Sequence, residues 1–168
     1  MERAELLATR ALVRPCVLVA VALLVVNDHV LKSAAPGVVT GKLSDFAGLA
    51  FFPLLLAAAA EMLGVRRGMR TIVIATIATG VVFASIKLSV SAGDVYRVGL
   101  AALQWPVRAL AAGIEGAPLP GLRHVSLVRD PTDLVALVAL VVPWIVARNV
   151  SRDEPTIGRR LSPVADNE

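Results

Sequence analysis

The sequence predicts an all-α membrane protein: a bundle of four transmembrane helices, with an outer interfacial or re-entrant helical segment between helices 3 and 4. Three observations carry that expectation. Hydrophobic residues make up 57% and charged residues 18% of the 168 positions, and the mean hydropathy is +0.74, which is too apolar for an ordinary soluble domain. The apolar residues come in blocks, at 16–26, 46–60, 71–86 and 134–147, where a soluble helix would show short periodic stripes. Arginines cluster at the ends of those blocks.

The spans fall at about 14–31, 44–63, 71–89 and 131–147, each near the ~20 residues that cross a bilayer once its polar ends are included. Arg3, Arg10 and Arg14 precede the first apolar block, with Asn27, Asp28 and His29 after it, so it reads as a retained helix and not a cleaved leader. With four spans these arginines share a side with Arg66, Arg67, Arg70, Arg148, Arg152, Arg159 and Arg160, and the positive-inside rule places both termini in the cytoplasm. The segment at 95–114 carries Arg97, Gln104, Pro106 and Arg108. A helix broken near Pro106, with Tyr96 and Trp105 at headgroup depth, suits an interfacial or re-entrant element better than a fifth span. Residues 1–150 then form one transmembrane domain, and 151–168 a disordered cytoplasmic tail.

A net charge of +4 does not point to nucleic acid, because the basic residues form no stripe with interleaved aromatics. Cys16, the one cysteine, excludes an intramolecular disulfide. No cofactor is implied, and Asp28, His29, His124 and Asp130 lack metal-ligand spacing on a helix, so no metal is expected. Abundant alanine, valine and arginine, with Lys32, Lys42 and Lys87 as the lysines, fit a GC-rich bacterium and hence a multi-pass protein of its inner membrane.

Four spans gather Asn27, Asp28, His29, Lys32, Lys42, Ser44, Asp45, Lys87, Arg129, Asp130 and Asp133 near the outer ends of the helices. Ionisable groups at membrane depth cost a few kcal/mol each, so a site is the default reading. Helix ends supply the competing one: Asp130 as N-cap before Pro131, Ser44 as cap beside Asp45, and lysines near helix C-termini. As a site, Lys32, Lys42, Lys87 and Arg129 would clamp an anionic lipid or lipid-linked headgroup, with Asp45 or Asp133 moving a proton. Whether the chain is an enzyme is left open. Membrane lipids are the expected partners, while oligomeric state and partner subunits are undetermined. A small transporter or channel element, or an accessory subunit, are the alternatives. Lys87 should find a carboxylate across the bundle, Asp45 or Asp133, and Glu61 should pair with Arg66 or Arg70.

The stretches at 42–49 and 129–137 both set a basic residue and a hydroxyl residue before an aspartate, through duplication of a two-helix unit or by chance. The runs Asn27-Asp-His-Val-Leu-Lys, Gly41-Lys-Leu-Ser-Asp-Phe-Ala-Gly-Leu and Asp130-Pro-Thr-Asp-Leu resemble a signature of uncharacterised bacterial membrane proteins. The layout is also distantly similar to the VanZ-like family, with Lys42, Asp45 and Phe46 matching its first motif and Arg129 and Asp133 its second. Aspartate stands where that family has histidine. The resemblance implies a small envelope-associated membrane protein and transfers no reaction.

Overall fold

The computed structural model describes residues 6–34, 37–65, 67–122, 127 and 130–160, with side chains through 153. All regular structure among them is helical: α1 (Leu7–Leu12), α2 (Pro15–Val26), a π-helical turn (Asn27–Leu31), α3 (Lys32–Ala34), α4 (Val38–Met62), α5 (Met69–Leu88), α6 (Val90–Ile114), a 3-10 helix (Pro131–Leu140) and α7 (Val141–Arg160). Four stretches are long and apolar enough to cross a membrane: Pro15–Ala34, Val38–Met62, Met69–Leu88 and Pro131–Asp153. They coincide with the four expected spans, the start at Pro131 unmoved and the other bounds moved by one to six residues. The first has only 11% of its residues buried inside the protein. A helix apolar on every face and left so uncovered needs hydrocarbon or another chain around it.

The chain forms two compact units, Met1–Gly80 with Val135–Glu168, and Val81–Leu134. In the first, Leu7, Ala8 and Ala11 of α1 pack with Leu54, Ala57 and Ala58 of α4, Ile72 and Ala75 of α5, and Val146, Ala147 and Val150 of α7. Alanines dominate this core, which lets the helix axes approach closely without a large apolar driving force. Arg14, just before α2, pairs with Asp153 of α7 at 2.6 Å. The helix α7 continues to Arg160, where the sequence suggests a disordered tail; residues 161–168 lie outside the described ones.

The short helix α1 is absent from the sequence reading. Six residues cannot sustain a helix alone, and its N-cap position, Leu6, offers no side-chain acceptor. The cap comes from elsewhere in the fold. Glu61 of α4, 1% exposed, accepts the backbone N–H of Ala8 at 2.8 Å and of Thr9 at 2.9 Å, and the Thr9 hydroxyl at 3.0 Å. Among the described residues, the contacts of Glu61 are with α1 and not with Arg70: its carboxylate serves the orphan amides of a helix start. Arg66 itself lies outside the described residues.

Two further expectations are revised. The second apolar helix begins at Val38, where Gly37 N–H donates to Thr40 Oγ1 at 3.1 Å and Thr40 Oγ1 donates to Gly37 O at 2.9 Å. Ser44 and Asp45 therefore sit well inside α4 and cap nothing. In the second unit, α6 runs unbroken through Pro106. The proline removes one backbone donor, yet its fixed φ is compatible with helix, and in a solvated or lipid-facing helix the loss is local. Ser89 caps α6 by accepting Ala92 N–H at 3.3 Å, and Trp105 Nε1 donates to Pro120 O at 2.8 Å, tying the following connector to the helix.

Candidate functional site

The first polar cluster lies in the first unit, where α2 ends and α4 begins. The π-helical turn inserts one extra residue per turn at Asn27–Leu31, with Lys32 N–H donating to Asn27 O. Such turns commonly occur at functional positions, because they rotate side chains out of α-helical phase. Here the turn drives Asn27 fully inside, at 0% exposure, while Asp28 and His29 stay at the surface. Asn27 Nδ2 donates to Thr40 O and to Ser44 Oγ, both at 2.6 Å. Thr40 O can only accept, which fixes the orientation of the Asn27 amide. Ser44 Oγ in turn donates to Asp28 Oδ1 at 2.7 Å, and Lys32 Nζ meets the same oxygen at 2.7 Å. The result is a directed chain from Asn27 through Ser44 to Asp28, with Lys32 at its exposed end.

Asn27 Oδ1 is buried and accepts no hydrogen bond among the described residues. His29 is exposed, its Nδ1 3.0 Å from Val25 O, and takes no part in the chain. Lys42 and Asp45 are half-buried on α4, and each is engaged in an interaction of its own.

The second cluster lies in the second unit. Lys87 Nζ and Asp133 Oδ2 are 2.6 Å apart, with side chains 9% and 10% exposed, and Lys87 also lies 5.4 Å from the centre of the Phe83 ring. Asp133, one of the two carboxylates the sequence offers to Lys87, is in contact with it. Asp130 is the helix cap that its place before Pro131 suggests: its Oδ1 accepts Thr132 N–H at 2.9 Å and its carbonyl accepts Asp133 N–H at 3.0 Å. Proline has no N–H, so this helix start leaves no donor among its first three residues unmatched. Arg129 lies outside the described residues.

The residues proposed from sequence thus fall into two sets of different chemistry. Asn27, Asp28, Lys32 and Ser44 form one hydrogen-bonded chain, and Lys87 and Asp133 form a buried ion pair. Two connections escape the sequence reading. A base beside Ser44, namely Asp28, is invisible because the two are 16 positions apart. The capping role of Glu61 is hidden because its partners are backbone amides 52 and 53 positions away.

Comparison with protein-family models, curated proteins and solved structures finds no match for this chain. The fold itself defines the class: an all-helical protein with four helices long and apolar enough to span a membrane.

Proposed function

We propose that the chain is a multi-pass protein of a bacterial inner membrane whose polar chain at the junction of α2 and α4 binds an anionic lipid or lipid-linked headgroup on the outer side. The observation that carries this reading is the Lys32–Asp28 pair at the exposed end of the Asn27–Ser44 chain. Both side chains are about two-fifths exposed, at 42% and 39%. An i,i+4 pair so exposed contributes about 0.3–0.5 kcal/mol, so Lys32 can exchange its carboxylate for a phosphate at little cost. Lys87, buried against Asp133, cannot. Lys32, assisted by Lys42, is therefore the anion-recruiting group, and Asn27 and Ser44 fix the geometry of Asp28 beside it.

The reaction, if one occurs, would use Asp28 or Asp45 as the proton acceptor; Asp133 is committed to its lysine. The helix α6 lies along the outer interface, with Leu103, Val107, Leu110 and Ile114 exposed at helical spacing and Tyr96 and Trp105 available at headgroup depth. Cytoplasmic termini are supported by the Arg14–Asp153 contact, which joins the start of the first apolar helix to the end of the fourth, and by the arginines flanking both. Reporter fusions test the topology: a fusion at Arg160 is expected to report cytoplasm and one within 116–121 the opposite side, and the reverse of either would sink it.

Retention of phosphatidylglycerol against phosphatidylcholine, measured by native mass spectrometry on the detergent-extracted protein, tests the site. Each cation near an anionic surface contributes about 1 kcal/mol, so Lys32→Ala is expected to weaken phosphatidylglycerol retention about fivefold, and Lys32→Ala/Lys42→Ala further. Equal retention by wild type and both variants would remove the reading.

A further inference from the structure

The fourth apolar helix opens with ten residues of 3-10 helix, Pro131–Leu140, whereas runs beyond three or four residues are uncommon. Burial along it repeats every third residue. Asp133, Ala136 and Ala139 are buried, Leu134, Leu137 and Leu140 half-buried, and Thr132, Val135 and Val138 exposed. The sequence carries the same triplet, Asp-Leu-Val, Ala-Leu-Val, Ala-Leu-Val, over 133–141. At 3.6 residues per turn these rows would smear around the helix, whereas at 3.0 each keeps one face. Gly80 of α5 makes room for the leucine row: a Cβ there would lie 2.8 Å from Leu140 Cδ1.

Proline sets where the 3-10 form stops. The Leu140 carbonyl has no i+3 donor, because residue 143 is proline, and must look to Trp144 in the α pattern. Were the whole segment α-helical, the Ala139 carbonyl would face Pro143 and lose its donor instead. Each form therefore gives something up. The 3-10 form has the poorer hydrogen-bond geometry, and the α form leaves one carbonyl unmatched among apolar side chains. With a cost on either side, contacts outside the helix weigh on the choice, and a buried ionic contact on the segment is Asp133 with Lys87.

We propose that the Lys87–Asp133 pair is a latch that holds residues 131–140 in the extended 3-10 form, and that breaking it lets the segment relax to α-helix. At about 2.0 Å against 1.5 Å per residue, the ten residues shorten by about 5 Å. Over the seven steps from Asp133 to Leu140, the loss of about 20° per residue turns the two ends by about 140° relative to one another. Any ligand that takes either partner of the pair would thereby change the length of the fourth apolar helix. This device stands independently of the headgroup reading, since neither latch residue belongs to the Asn27–Lys32 chain.

Electron–electron double resonance between nitroxides on Thr132→Cys and Arg152→Cys tests it, in the full chain in lipid nanodiscs with Cys16→Ala. The eight steps from 132 to 140 predict a distance about 4 Å shorter in Lys87→Met/Asp133→Leu than with the pair intact, and recovery of the longer distance in the charge-reversed Lys87→Asp/Asp133→Lys. An unshortened distance in the pair-broken protein overturns the latch. Should that protein fail to insert, Asp133→Asn decides, because it removes the charge of the pair while keeping the shape of the side chain. A shorter distance, or a second, shorter population, then supports the latch, and a single wild-type distance overturns it.

Discussion

Lys87→Met is expected to destabilise the detergent-solubilised protein by about 3–5 kcal/mol, because it takes from the buried Asp133 carboxylate, 10% exposed, the ammonium 2.6 Å away. The Coulombic gain of a buried pair is largely cancelled by the desolvation of both ions, so the pair as a whole contributes far less than the cost of breaking it. Removing both charges should consequently restore most of the loss. Unfolding midpoints for Lys87→Met, Asp133→Leu and the double variant form the necessary cycle. A double variant as unstable as the worse single would show that Lys87 and Asp133 are each held by other groups. A Lys87→Met protein as stable as wild type would mean that the lysine merely reaches the headgroups. Stability and helix form are separate readouts here: the apolar double variant recovers the first, while the charge-reversed variant recovers both.

Glu61→Leu is expected to cost about 3 kcal/mol and to undock α1. Three donors converge on this carboxylate, the N–H groups of Ala8 and Thr9 and the Thr9 hydroxyl, and a buried donor left unmatched costs about 1–3 kcal/mol. With only six residues, α1 has no helical stability of its own to fall back on. Its loss would also uncover the faces of Leu54, Ala57 and Val150 against which Leu7, Ala8 and Ala11 pack. Glu61→Gln, which keeps one strong acceptor, should lie between wild type and leucine. Thiol labelling of Ala8→Cys, fully buried in the docked state, reports the undocking directly. Unchanged protection in Glu61→Leu would show that apolar packing alone holds the helix.

How far the sequence could be read depended on how local each cause was. The four long helices were legible because their signal is a run of consecutive apolar residues, and hydrocarbon selects for that whatever the surrounding fold. The Asp130 cap was legible too, since the residues that make it, Asp130, Pro131 and Thr132, are neighbours. Lys87 announced that it needed a carboxylate, and the charges available narrowed the choice to two. Distance in the chain decided the failures: Ser44 and Asp45 resemble a cap only until Thr40 starts the helix earlier.

The 3-10 segment stands between these cases. Its triplet of Asp or Ala, Leu and Val is written in the sequence, yet the same residues form a respectable α-helix in isolation. Hydropathy and near-neighbour chemistry thus determined by themselves that the protein is helical and where its four apolar helices run. The tertiary structure alone decided that Asn27 turns inward, that Asp28 becomes the partner of Ser44, that Glu61 caps a helix more than 50 positions away, and that Lys87 takes Asp133. Those outcomes depend on which helix faces meet in space, and a buried polar group must take whatever partner that meeting brings within about 3 Å.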